Sequence, residues 1–204
     1  MSGKKTVTTT HGRRHAPAAV VRLALWGCLL CPPLAGAANW QDDAQQLYRH
    51  LGHLHWIAAG RGPKVLYTFV DPNSAVAHTL ISRLAPQIAP DGLTVRALLV
   101  GYLTPSSAGK AAAILQSSDP LATLDHGEAR FVPARGSAIA PAPMTPATRQ
   151  ILKANFRALT ALEGNPWMRM APLLVYRDRQ GHVHVFQGRL DGARLDAIIR
   201  ATSR

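Results

Sequence analysis

The chain has 204 residues, of which 23 are Lys or Arg and 11 are Asp or Glu, for a formal net charge of +12. Its hydrophobic content of 47% and its length are enough for one domain with a sizeable core. The basic residues are scattered, with no basic run and no alternation of basic and aromatic residues, so the charge reads as a cationic surface and not as a nucleic-acid-binding face.

Residues 1–22 carry Lys4, Lys5, Arg13, Arg14 and Arg22 and no acidic residue. The apolar stretch Leu23–Cys31 follows, then Pro32-Pro33 and the small residues Ala35-Gly36-Ala37. This order predicts a secretory signal over 1–37, cleaved after Ala37. The apolar stretch is shorter than the about 20 residues that span a bilayer, so no integral membrane span is expected after cleavage. Both cysteines of the chain, Cys28 and Cys31, fall inside this segment. They have redox spacing, but they lie within an apolar stretch and not at a strand-to-helix turn. Removing five basic residues from 23 leaves 18 against 11 acidic ones, a net +7 without any cysteine. Disulfides then contribute nothing to stability.

The rest reads as one domain. Over 41–58, Leu47, Leu51, Leu54 and Ile57 recur at helical spacing, and Asp42 and Asp43 suit a helix start. Residues 38–62 are thus an N-terminal helix and linker, closed by Gly60-Arg61-Gly62-Pro63. Residues 64–70, KVLYTFV, predict a strand buried on both faces. Asp71-Pro72-Asn73-Ser74 then turns into a helix running to about Leu84, closed by Pro86 and Pro90. Asp91-Gly92 leads into a second apolar strand, Leu93 to Val100, parallel to the first because a helix separates them.

A helix capped at Pro105-Ser106-Ser107 runs to Gln116, and a second short one starts at Asp119-Pro120. The proline-rich residues 131–146 form a loop. Residues 146–163 predict an amphipathic helix with Ile151, Leu152, Phe156, Leu159 and Leu162 as its apolar face. The strands Pro172–Tyr176 and His182–Gln187 make an antiparallel hairpin around Asp178-Arg179-Gln180-Gly181, and a last helix spans Gly192–Arg200. The order is βαβ, helical insertion over about 104–164, then ββα: an α/β fold with a central mixed sheet flanked by helices.

This order is that of a thioredoxin fold, and several segments resemble one family. Val65–Asn73 is similar to the strand entering the active site of periplasmic thiol:disulfide interchange proteins of the DsbC/DsbG type. Leu98–Leu115 followed by Asp119-Pro120, and Met170–Tyr176 with its hairpin, resemble the DsbG branch in particular. The likeness covers roughly residues 54–200. It implies a periplasmic location and a thioredoxin-like domain over 63–204.

The departures bear on function. The family places Cys-x-x-Cys after Asp-Pro-x, where this chain reads Ser74-Ala75-Val76-Ala77 followed by His78. Ser74 and Ala77 are therefore vestigial positions, and neither can form a disulfide. A nucleophilic Ser74 with His78 as base is a competing reading, but the sequence places no acid to orient His78. The resemblance also implies that Pro172 is a cis-proline facing this site, here preceded by Ala171. With Trp167 and Met170 as an apolar rim, Ala171 and Pro172 would bind extended polypeptide through backbone hydrogen bonds. About 20 residues precede Trp56 after cleavage, room for part of a linker helix but not for the family's dimerisation domain, so a monomer is expected.

His50, His53 and His55 lie close together, and His182 and His184 share a strand face, but no carboxylate or cysteine completes either set. No metal and no cofactor is therefore expected, and a histidine-based metal-binding protein is a third reading. The reading that fits most residues is a periplasmic, redox-inactive, chaperone-like module. It would bind unfolded or extended polypeptide, or one fixed periplasmic partner, as part of an envelope assembly.

Overall fold

The computed structural model describes residues 35–161 and 173–204. Most of the expected signal segment, with Cys28 and Cys31, lies outside the described residues, as do Trp167, Met170, Ala171 and Pro172. Two strands organise the rest: β2 (Lys64–Val70) and β3 (Leu93–Leu99). They run parallel in register from Lys64↔Leu93 to Val70↔Leu99. Each is apolar almost throughout, as a strand covered on both faces must be. Strand β4 (Leu173–Arg177) pairs antiparallel with β2, β5 (Val183–Gln187) antiparallel with β4, and β1 (Ile57–Ala59) antiparallel with β3, giving the sheet order β1-β3-β2-β4-β5.

The two-residue alternation of β2 and β3 sends successive side chains to opposite layers. Tyr67, Phe69, Leu98 and Val100 pack under α1 (Ala35–Leu51) and α6 (Pro146–Thr160), against Leu47, Leu51 and Leu159. Leu66 and Val95 face α2 (Ala75–Leu84) and α7 (Gly192–Ala201), meeting Leu80, Leu84, Leu195 and Ile198. Val70, Ala97 and Leu99 continue that layer beneath α4 (Ser107–Leu115) and α5 (Pro120–Ala129).

Helix starts follow the sequence chemistry. Asp119 and Thr145 cap α5 and α6, each followed by a first-turn proline, and Asp191 caps α7 by accepting from the Arg194 N–H at 2.7 Å.

Three expectations are corrected. The first helix does not run to residue 58 or start at Asp42: it spans Ala35–Leu51, and Ile57–Ala59 forms strand β1, antiparallel to β3. Ile57 keeps its place in the core from a strand, because the free edge of β3 offers its backbone the partners a helix would have supplied. The helix after Ser74 ends at Leu84, as expected, but Pro86 and Pro90 do not close off helical structure there. A 3₁₀ turn (Ala85–Gln87) and a short helix α3 (Ile88–Asp91) follow α2, closed by Gly92 at φ +63°. Phe156 is not on the buried face of α6 but 40% exposed. The buried stripe is Thr148, Leu152, Asn155, Ala158 and Leu159, rotated from the one read in the sequence.

Asn155 causes that rotation. It is fully buried, and its Nδ2 donates to the Leu99 carbonyl at 2.9 Å and to the His55 carbonyl at 3.3 Å. One amide therefore ties α6 to β3 and to the segment leading into β1. Asn155→Ala should cost about 1–3 kcal/mol by leaving a buried carbonyl unpaired. The expected readout is a lower urea midpoint with an unchanged slope.

Candidate functional site

The junction between β2 and α2 is built on a buried carboxylate. Asp71 is 1% exposed. Its Oδ1 accepts from the Asn73 N–H at 3.0 Å and from the Ser107 hydroxyl at 2.7 Å. Its Oδ2 accepts from the backbone N–H groups of Tyr102 and Leu103, each at 2.9 Å. Four donors thus satisfy one charge that burial would otherwise make costly.

Asn73 extends the network. Its side-chain nitrogen reaches the hydroxyls of Thr104, Ser106 and Ser107 at 2.6, 3.0 and 3.1 Å. Its oxygen accepts from Lys110 Nζ at 2.7 Å. Lys110 also donates to the carbonyls of Ser137 and Arg135, at 2.5 and 3.1 Å. Burial holds the Lys110 ammonium below its ordinary pKa, with the Asp71 charge opposing that shift. The Ser137 N–H donates to the Pro72 carbonyl at 2.9 Å, so the loop after α5 closes over the junction. Gly136 makes that approach possible: at φ +73°, a Cβ there would sit 2.0 Å from Asn73 Oδ1.

Ser74 is the N-cap of α2. Its hydroxyl accepts from the Ala77 N–H at 3.2 Å, and the residue is 5% exposed. Ala77 is buried with Val70, Leu99 and Ala111. His78 stands one turn on. Its Nδ1 lies 2.7 Å from Glu128 Oε2, and its ring stacks on Phe131 at 4.4 Å with an interplanar angle of 7°. The expectation that no acid orients His78 is therefore corrected. Glu128 comes from α5, 50 residues away, and only the packing of α5 on α2 brings it there. Burial raises the Glu128 carboxyl, and the His78 hydrogen bond and charge pull it back.

An apolar rim surrounds this junction. Tyr102, Leu103, Val132 and Phe156 are exposed by 38, 48, 47 and 40%. Tyr102 and Leu103 are held by Asp71, and the Tyr102 ring lies 5.3 Å from that of Phe156. Val132 closes a tight turn with Gly136, beside Asn73. Sequence reading missed this rim, because it joins three segments far apart in the chain. The signal available was Tyr102-Leu103 in a loop and a phenylalanine on an otherwise polar helix face.

The histidines separate. His50, His53 and His55 are exposed around the end of α1. At the β4–β5 turn, Asp178 Oδ2 lies 2.6 Å from His184 Nε2 and 3.6 Å from His182 Nδ1, so a carboxylate does meet this pair, contrary to expectation. Asp178 Oδ1 also accepts from the N–H groups of Gln180 and His182. The His184 bond, helped by these backbone donors, holds the Asp178 carboxyl below the ordinary carboxylate range. Among the described residues, no group of three has the arrangement to hold a metal ion. No helix among them is long and apolar enough to cross a membrane.

No family model matches the chain. Similar curated proteins include the thiol:disulfide interchange protein DsbG of Pseudomonas aeruginosa, 28% identical over 149 residues, which are 71% of this chain and 55% of that protein. The protein of the same name from Escherichia coli is 31% identical over 87 residues, 42% of this chain and 35% of that protein. The chain thus spans about half the length of the first and about a third of the second. Among solved structures, Proteus mirabilis ScsC in a compact conformation superposes with a TM-score of 0.58 at 17% identity, covering 82% of this chain and 86% of that one. The thiol-disulfide exchange protein alpha-DsbA2 of Wolbachia pipientis gives 0.57 at 12% identity, covering 81% and 97%. A periplasmic thioredoxin-like protein of Salmonella enterica serovar Typhimurium gives 0.56 at 14%, covering 84% and 97%. At these identities the structural likeness is one of fold.

Two measurements probe the site's supports. Lys110→Met leaves three oxygen acceptors without their shared donor and should cost about 2 kcal/mol or more in chemical unfolding. The lowered Asp178 carboxyl contributes stability that is complete above its unfolded value of about 4 and is lost as pH falls through its native value. Asp178→Asn should therefore be less stable than the parent at neutral pH. Its stability should also fall less steeply on acidification below roughly pH 4.

Proposed function

We propose that this chain, a thioredoxin-fold relative of the DsbG-type thiol:disulfide interchange proteins, binds extended polypeptide at the β2–α2 junction without exchanging disulfides. Ser74 and Ala77 stand where that family's sequence pattern has its two cysteines. Thiol exchange needs a thiolate that attacks sulfur and a second thiol that resolves the mixed disulfide. A serine hydroxyl engaged as a helix cap and a buried methyl group supply neither. With residues 1–37 acting as an export signal, the exported chain is free of cysteine and works in the periplasm.

The observation that carries the binding reading is the apolar rim. Exposed large hydrophobics gathered at one place mark interaction surfaces more often than chance placement does. Here Tyr102, Leu103, Val132 and Phe156 gather around a loop that the Asp71 network holds in one conformation. A preorganised surface loses little entropy on binding. Ala171 and Pro172, with Trp167 and Met170, would supply the backbone and remaining apolar contacts for an extended chain. Such a surface suits unfolded polypeptide, or one fixed partner within an envelope assembly. A second reading, chemistry at Ser74 with His78, gains an orienting carboxylate from Glu128, although the Ser74 hydroxyl already serves as a cap. Covalent labelling of Ser74 by a fluorophosphonate would favour that reading over the first.

The purified protein, beginning at residue 38, should show no insulin reduction and no rescue of scrambled ribonuclease above a blank without protein. Turnover in either assay would end the redox-inactive reading. It should bind reduced, carboxymethylated α-lactalbumin, and the double substitution Tyr102→Ser with Leu103→Ser should weaken that binding roughly tenfold or more, about 1.4 kcal/mol. Unchanged affinity would remove the rim from the site.

A further inference from the structure

A second concavity lies at the other end of α2. It is a groove of about 500 Å³, within the range of ligand-binding clefts. Ile81 of α2, Ile88 of α3 and Ala59 of β1 form apolar walls, and Asp125 and Glu128 of α5 line the opposite side. The two carboxylates are three residues apart on one helix and so share a face. We propose that this groove binds a polypeptide segment presenting a lysine or arginine side chain between apolar neighbours.

The charge distribution points to a cation. The molecule as a whole is strongly basic, yet residues 116–129 contain Asp119, Asp125 and Glu128 and no Lys or Arg. The charged residues that line the groove are Asp125 and Glu128 alone, with no Lys or Arg among its walls. Asp125 has no ion-pair partner among the described residues, and Glu128 has only His78, which is cationic only when protonated. Burial raises both carboxyls, and each also feels a neighbouring acid, Asp119 beside Asp125 and Asp125 beside Glu128. Glu128 is buried and Asp125 stands exposed beside it at the mouth, so a cation entering the groove meets one desolvated and one accessible carboxylate. The apolar walls suit the rest of such a ligand. A lysine or arginine stem lies along aliphatic surface while its head reaches a charge beyond.

The inference does not rest on the peptide-binding reading of the β2–α2 junction, since no rim residue lines the groove. It is tested on the same protein by ¹⁵N-labelled titration with acetyl-Leu-Lys-Leu-amide and, in parallel, acetyl-Leu-Glu-Leu-amide. The lysine peptide should shift the amides of Ser82, Ala85 and Ala129 saturably, and the glutamate peptide should not. Asp125→Asn, at an exposed position that leaves the fold intact, should weaken the lysine peptide severalfold. Asp125→Asn with Glu128→Gln should weaken it about tenfold or more, while amide dispersion is retained. Equal shifts from both peptides, shifts confined to the Tyr102–Leu103 rim, shifts scattered over the surface, or no saturation at millimolar concentration would each overturn the proposal. Loss of the rim by Tyr102→Ser should leave these shifts in place, which separates failure here from failure at the junction.

Discussion

The structure turns on the buried carboxylate of Asp71. A charge at 1% exposure is tolerable only when it is fully hydrogen-bonded, and its four donors come from the junction itself, the β3–α4 loop and α4. Everything around the N-terminus of α2 follows. The backbone at Tyr102 and Leu103 is pinned, because both amides point inward onto Asp71. Asn73 cannot turn, because Lys110 holds one side of its amide and three hydroxyls hold the other. Lys110 itself stays buried only because two carbonyls of the loop after α5 complete its coordination. Removing one member leaves a buried polar atom of its neighbours short of a partner, so the members support one another.

This explains how the junction keeps its shape without a thiol. None of the Asp71, Asn73 or Lys110 bonds involves the side chains at 74 or 77. The Ser74 hydroxyl contributes as a cap, worth about 1 kcal/mol, and Ala77 contributes packing. The chemistry of positions 74 and 77 and the geometry of the loop before them are separable, and the rim depends only on the geometry.

Much of the fold was legible because it is local or periodic. The unbroken apolar runs of β2 and β3 signalled strands buried on both faces, and the intervening helix required them to be parallel. Asp119-Pro120 announced a helix start with its cap and first-turn proline. What escaped depends on partners distant in the chain. Three residues, Ile57–Ala59, have no strand signature of their own and become a strand only because β3 has a free edge. The apolar periodicity of α6 was read with Phe156 inward. A buried asparagine bonded to two carbonyls outweighed one aromatic ring, since orphaned carbonyls in the core cost more than an exposed phenylalanine. The His78–Glu128 and Asp178–His184 pairs were invisible for the same reason. Each joins residues whose proximity is set by packing or by a turn, not by spacing along one element.

The N-terminus of α2 concentrates these themes. A helix start presents amides whose partial positive charge suits an anion, and in a thiol enzyme that anion is the thiolate. Here the amide of Ala77 is already answered by a neutral oxygen, and Ser74 is buried. One amide at the positive end of the helix is thus answered from within the chain. Asp71, the carboxylate just before the helix, is taken up by its own four donors, and Glu128 faces the side of α2, matched to His78 rather than to the helix start. What this end of the domain presents at its surface is apolar side chains on a loop that the Asp71 network holds in place.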